Sequence, residues 1–322
     1  MRILHGLDGL TSLPARAALS IGNFDGLHLG HHRILQTASE LAKAESTTFA
    51  AVTFEPHPMT VLRPELAPAR LTPPSIKQKL FESMGVDHLV ILPPEPSVLN
   101  LKAEQFWTIL RDQVKPAHLV EGASFRFGKG AAGSIENLRV WSAGTGISLH
   151  VVESVFVPLL DLNVAPVSSS LIRFLLDNGR VRDAAICLGR PYSLSGSVGQ
   201  GHQRGRTIGF PTANLKPDDQ LIPLDGVYAG HALVAGTLYP AAVSIGTMPT
   251  FGENLRQIEA HLIGFNGDLY GQPIEFHLLD WLREQQKYSQ LEALIAQIKA
   301  DVAETAILAR RDPARPIAYS LA

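Results

Sequence analysis

The chain has 322 residues, more than one hydrophobic core ordinarily serves, so two domains are expected. Hydrophobic residues make up 45% and charged residues 18%, a globular balance that excludes a disordered or fibrous chain. A formal charge of −2 supplies no basic field for nucleic acid, and no run of 18 apolar residues is present to span a membrane.

The first twenty residues carry Arg2, Asp8 and Arg16 and lack a continuous apolar stretch, so no leader is expected and the cytoplasm is the expected location. The single cysteine, Cys187, excludes an internal disulfide; its apolar neighbours mark it as a buried structural thiol in a reducing compartment. Ala17–Ile21 reads as a short buried strand, and Ile34, Leu35, Ala38, Leu41 and Ala42 recur at helical spacing. Between them lie Gly22, Asn23, Phe24, Asp25, Gly26, His28 and His31, on a strand-to-helix turn. In an open parallel sheet that turn is at the carboxyl edge, where ligands bind. His28 and His31 share one face at the opening of the helix, where free N–H groups favour an anion. Two other readings stay open: an exposed pair, or two ligands of a divalent metal with His57 as the third.

Thr48–Phe54, Val86–Leu92, Ala117–Glu121 and Ile147–Val152 read as further strands, and Ser75–Met84 and Ala103–Val114 as helices between them. Such alternation implies a doubly wound parallel sheet, an α/β domain. Ser168 is an expected N-cap for a helix reaching Asp177, with Leu171, Leu175 and Leu176 near one another. The pattern changes after Gly189-Arg190-Pro191, and the boundary falls near 188: domains 1–187 and 188–322, although Val181–Leu188 fits either side. Tyr192–Val198, Val227–Val234, Leu238–Ile245, Gln257–Phe265 and Ile274–Leu279 read as strands without intervening helices, an antiparallel sheet or small barrel. A closing helix is expected from Ser289 to Arg310, its stripe of Leu291, Leu294, Ile295, Ile298 and Val302 packed on that barrel.

Four glycines, Gly196, Gly201, Gly205 and Gly209, lead into Pro211-Thr212-Ala213-Asn214. Glycines let backbone N–H groups approach phosphate oxygens. Thr212 and Asn214 add neutral oxygens suited to Mg²⁺, and Pro211 stiffens the entry to that pair. No Gly-Lys-Ser/Thr follows, so this is not a Walker loop.

From about Leu19 to Ala309 the chain resembles the prokaryotic bifunctional riboflavin kinase/FAD synthetase family. The resemblance rests on Gly22 to Gly26 with His28-Leu29-Gly30-His31, on Thr53-Phe54-Glu55-Pro56-His57-Pro58, on Phe125-Arg126-Phe127-Gly128 and on Ser168 to Arg173. In the second half it rests on Gly205 to Asn214, Gly226-Val227-Tyr228, Ile258 to Leu262, Gly267 to Gly271 and Leu282-Arg283-Glu284. It implies a nucleotidyltransferase domain followed by a kinase barrel. Riboflavin would take the γ-phosphoryl group of one ATP to give FMN, and FMN would attack the α-phosphorus of another to give FAD and pyrophosphate. FMN and FAD would then serve flavoprotein clients.

In the kinase half the resemblance assigns Glu259 the base, with His261 on its face as the next candidate, and Arg283 and Tyr288 the flavin contacts. Thr212 and Asn214 would hold Mg²⁺ with the ATP phosphates. In the adenylyltransferase half it gives ATP to the Gly22–Gly26 turn, His28, His31, Ser168, Ser169, Ser170 and Arg173. FMN falls to His57, Ser124, Phe125 and Arg126. Two positions depart: Ser124 stands where the family usually has Asp or Asn, and Ser134 where Asp is common, with Glu121 nearby as a partial substitute. Three other readings compete: a kinase with a regulatory N-terminal half, a flavin or nucleotide sensor without turnover, and another small-molecule adenylyltransferase of the pantetheine type.

Overall fold

The computed structural model describes residues 1–200, 205, 208–247 and 256–312. They fall into two compact units, Met1–Val157 with Ala165–Val167, and Pro158–Val164 with Ser168 onward.

In the first unit, β1 (Arg2–His5), β2 (Ala18–Ile21), β3 (Phe49–Phe54), β4 (His88–Leu92), β5 (His118–Gly122) and β8 (Ser148–Val152) form one parallel sheet, order β1-β4-β3-β2-β5-β8. Short strands β6 (Arg126–Phe127) and β7 (Gly133–Ser134) pair with each other, as do β9 (Phe156–Pro158) and β10 (Val164–Pro166). The connecting helices are α1 (Gly6–Thr11), α2 (Leu29–Ala44), α3 (Met59–Leu62), α4 (Pro74–Ser83), α5 (Pro96–Leu99), α6 (Ala103–Ile109) and α7 (Ile135–Ser142). All four residues of β2 are buried, as are five of the six in β3, because helices cover both faces of a central parallel strand. The edge strand β1 carries no sequence signal: three of its four residues are exposed. The expected Ala103–Val114 helix is α6 running on into a π-helical turn at Leu110–Val114, ended by Lys115 at φ 51°.

The second unit opens with α8 (Ser169–Asp177) and α9 (Val181–Leu188). These pack on one another, and α9 packs on β11 (Tyr192–Gly199) and β16 (Pro273–Arg283), so α9 groups with the barrel. The remaining strands are β12 (Ala213–Pro217), β13 (Gly226–Val234), β14 (Thr237–Thr247) and β15 (Arg256–Leu262). They close an antiparallel barrel in the order β11-β12-β15-β14-β13-β16. Ala213, Leu215, Val243, Ile258 and Ala260 point inward and are buried, which turns Asn214, Ser244 and Glu259 to the outer face.

The closing helix α10 (Leu291–Arg311) lies on β13, β14 and β16. Its expected stripe holds from Leu294 onward: Leu294, Ile295, Ile298 and Val302 are half-buried and Asp301, Thr305 and Ala309 buried, while Leu291 at the first turn is 53% exposed. Arg283 at the end of β16 donates to both Asp301 oxygens, from Nε at 3.0 Å and Nη2 at 2.7 Å, and fastens the helix to the barrel.

Candidate active sites

At the carboxyl edge of the parallel sheet, β2 gives way to the Gly22–Leu27 turn. Phe24 at φ 46°, Gly26 at φ 86° and Leu27 at φ 41° all take left-handed backbone, and buried contacts hold them there. The Phe24 ring is 2% exposed and packs edge-on against Phe81 and His31. The Asp25 carboxylate accepts the Leu71 and Thr72 N–H groups at 3.0 and 3.2 Å, so it pins a neighbouring segment to the turn.

His28 is the N-cap of α2, and its Nδ1 accepts the His31 N–H at 3.3 Å. That bond leaves Nε2 to carry the proton of the neutral ring, a donor at the helix opening. The two imidazoles stack at 3.6 Å between centroids and 15° between planes. Gly30 leaves room beside the stack, since a Cβ there would sit 3.1 Å from the His28 ring, closer than ordinary contact. His57 serves elsewhere: its Nε2 is 3.1 Å from the Asn23 amide nitrogen and its Nδ1 accepts from the Met59 N–H. Among the described residues no three His, Cys, Asp or Glu side chains are grouped to hold a metal. The metal reading of the two histidines therefore lacks its third ligand. His57 and Asn23, assigned separately to FMN and ATP by the resemblance, are neighbours.

Phe125 stacks on Phe127 at 5.5 Å, while Ser124 and Arg126 are exposed. Glu121 does not stand in for Ser124. Its side chain is 1% exposed and accepts the Ile21 N–H at 2.9 Å, and burial pushes its carboxyl well above the ordinary value. Ser134 caps α7 in a reciprocal bond with Asn137, a task at which serine and aspartate are about equal. Ser168 caps α8 by accepting the Leu171 N–H at 3.1 Å; Ser169 and Ser170 lie in the first turn and Arg173 one turn on, all in the second compact unit.

On the barrel, the strand register brings the kinase candidates together. Asn214 lies directly opposite Glu259, and Glu259 opposite Ser244. Facing residues on antiparallel neighbours share a face with Cβ atoms about 5 Å apart. Thr212 lies two residues before Asn214, and Pro211 enters the strand with its carbonyl 2.9 Å from the His261 Nδ1. Phe210 packs edge-on against His261 at 5.3 Å. A Cβ at Gly205 would come within 2.3 Å of the Phe210 carbonyl oxygen, so the loop closes only with glycine there. Gly209 turns the chain at φ 86°, Gly196 sits within β11 opposite Pro217, and Gly201 lies outside the described residues.

Arg283 is occupied by Asp301 and, through Nη1, by the Glu284 carbonyl; the Tyr288 hydroxyl donates to Gln286. Sequence reasoning missed Gln285, whose amide donates to Ser244 Oγ at 3.1 Å and ties the 284–288 segment beside Glu259. No spacing flags that contact, because it joins a loop to a strand 41 residues away.

A family model described as riboflavin kinase matches residues 188–308, and one described as FAD synthetase matches residues 11–170. A relative from Bacillus subtilis (strain 168), named bifunctional riboflavin kinase/FMN adenylyltransferase, is 34% identical over 309 residues, 94% of this chain and 96% of its own length. An Escherichia coli (strain K12) relative of the same name is 33% identical over 304 residues, with coverage of 94% and 96%. A solved structure titled macrolide-efflux protein from Streptococcus pneumoniae superposes with a TM-score of 0.84 at 26% identity, over 95% of this chain and 99% of that one. Among the described residues, no helix is long and apolar enough to cross a membrane.

Proposed function

The chain belongs to the bifunctional riboflavin kinase/FMN adenylyltransferase family, and from that membership we propose how its two units divide the chemistry. It is an enzyme of flavin cofactor biosynthesis that uses ATP in both reactions. The family matches, one ending at 170 and the other beginning at 188, leave the boundary between those residues; the compact units divide earlier, before Ser168, and put α8 and α9 with the barrel.

In the barrel, the riboflavin 5′-hydroxyl attacks the γ-phosphorus of ATP. The new O–P bond forms as the bond to the β–γ bridging oxygen breaks; ADP leaves and the proton passes to Glu259. A primary alcohol is a weak nucleophile, so a carboxylate that orients it and takes its proton contributes to the rate. Asn214 and Thr212 offer neutral oxygens beside that carboxylate, a donor set that fits Mg²⁺. The ion, when bound, neutralises charge on the ATP phosphates. His261 Nδ1 donates to the Pro211 carbonyl, which leaves Nε2 able to accept a proton; Glu259 is preferred as the base because it lies opposite Asn214. Tyr288 and the segment fixed by Gln285 supply the flavin side, with Arg283 anchoring that segment.

In the parallel-sheet unit, a phosphate oxygen of FMN attacks the α-phosphorus of ATP, the α–β bond breaks and pyrophosphate leaves. The nucleophile is already ionised, so stabilising charge is the main task. The His28 Nε2–H, His31 and the Gly22–Gly26 turn serve ATP, while His57, Phe125, Arg126 and Ser124 serve FMN. A cytoplasmic location suits this reading, with Cys187 buried and reduced.

The register pairing of Asn214 with Glu259 carries the kinase assignment. The test is to supply riboflavin, ATP and Mg²⁺ and separate FMN from FAD by chromatography. Both should form in sequence; FMN without FAD would reduce the chain to a kinase, and neither would leave a sensor.

A further inference from the structure

Lys77 takes no part in the chemistry above, yet among the described residues it is the only buried lysine or arginine, at 6% exposure. It projects from α4 toward the floor of the Gly22–Gly26 turn. Its Nζ donates to Thr53 Oγ1 at 3.3 Å and lies 3.6 Å from Glu55 Oε2. The Thr53 hydroxyl in turn donates to the Asn23 carbonyl at 3.0 Å. Glu55 also pairs with Arg70, and the Asp25 carboxylate, 8% exposed, lies close enough to act on Lys77 electrostatically. One ammonium thus joins α4, the end of β3, the turn after β2 and the segment before α4.

A buried lysine is costly, and an apolar residue of similar length would fill the space with less penalty. The ammonium does two things that such a residue cannot. It has only donors, so Thr53 must accept from it and must then donate to Asn23, which gives the network a single polarity. It also balances charge: Lys77 and Arg70 offset Glu55 and Asp25. We infer that Lys77 is a positioning residue of the adenylyl-transfer site, holding Asn23 and its neighbour His57 in place and keeping the floor neutral beneath two anionic substrates. The inference rests on the assignment of FAD synthesis to this unit.

Titration gives the signature. Burial lowers the Lys77 value below that of an ordinary lysine, against the opposing pull of Glu55 and Asp25. As pH rises, Lys77 therefore loses its proton before a surface lysine does, and the floor gains net negative charge facing ATP and FMN. The groups facing it are Glu55, Asp25 and Arg70. Of these, arginine stays charged throughout.

The experiment measures kcat and KM for FMN-to-FAD conversion across pH 6 to 10 in the full-length wild type, Lys77→Met and Lys77→Arg. Riboflavin phosphorylation on the same samples serves as reference for the barrel, and tryptophan fluorescence, from Trp107 and Trp141 in the first unit and Trp281 in the second, reports folding. Lys77→Met should keep the fluorescence and kinase rate, lose about 10²-fold in kcat/KM for FAD formation, and lose the wild-type alkaline limb. Lys77→Arg should recover part of the rate and move that limb to higher pH. Wild-type kcat/KM in Lys77→Met, or a loss that only follows the folded fraction with the limb intact, would overturn the inference. If Lys77→Met does not fold, Lys77→Arg decides: a limb that moves up supports the inference and an unmoved limb overturns it. A wild type that makes no FAD from FMN at any pH would remove the assignment and the inference with it.

Discussion

Glu259 and Glu121 are the same residue type in opposite settings. Glu259 lies on the outer face of β15 beside Asn214 and Ser244, whereas Glu121 closes β5 at 1% exposure. Replacing Glu259 by Gln keeps the shape and removes the proton acceptor. FMN formation should fall about 10²-fold or more, with FAD formation from supplied FMN unchanged, read as initial rates on separated products. For Glu121 the sign runs the other way with pH. Below the ordinary value of 4.5, folded and unfolded chains both hold the proton. Above it the unfolded chain releases the proton while the folded one keeps it, so stability declines as pH rises toward the folded value. Glu121→Gln should therefore match the wild type in urea unfolding near pH 4 and exceed it at pH 8. A gap independent of pH would refute a buried, neutral Glu121. Gly205→Ala tests the loop: a Cβ 2.3 Å from the Phe210 carbonyl forces backbone to move. Kinase KM for ATP should rise several-fold while FAD synthesis is untouched.

At the scale of elements, the sequence was legible where period and cap agree. The Ile34 to Ala42 spacing marked α2 and its opening, so His28 and His31 were found together; the structure adds that one caps the helix and stacks on the other. From sequence alone the residues of β12 read as a ligand-bearing segment, not as a strand. With only Ala213 and Leu215 buried, its alternation is too short to stand out against Pro211 and Pro217. Its register with β15 is what makes Asn214 and Glu259 adjacent, and register between distant strands is set by tertiary packing. On α10 the apolar stripe from Leu294 to Val302 is legible, whereas the Arg283–Asp301 ion pair beside it is not, because its partners come from separate elements. Asp301→Ala should leave the guanidinium unpaired at 19% side-chain exposure and cost about 3 kcal/mol in urea unfolding of the barrel, with kinase KM for riboflavin raised through the loosened 284–288 segment. Unchanged stability would mean that α10 is held by its apolar contacts alone.

For the whole molecule, the length of 322 residues points to two cores, and the structure has two compact units: one with a parallel sheet whose ligand edge follows β2, the other with a closed barrel that carries Asn214 and Glu259 on neighbouring strands. Each unit holds its own candidate set, His28 and His31 in one and Asn214 and Glu259 in the other. If two ATP sites act independently, damage to one spares the other, and two damaged chains repair each other through free FMN. Glu259→Gln and His28→Ala should each fail to carry riboflavin through to FAD at the wild-type rate, the first halting before FMN and the second after it. Mixed in one vessel with riboflavin, ATP and Mg²⁺, they should restore FAD formation, with FMN rising first and then being consumed. If the mixture makes no more FAD than either variant alone, while each keeps its other activity on supplied substrate, FMN does not pass between independent sites. If Glu259→Gln also loses the conversion of supplied FMN to FAD, the two reactions share one site and the account is wrong.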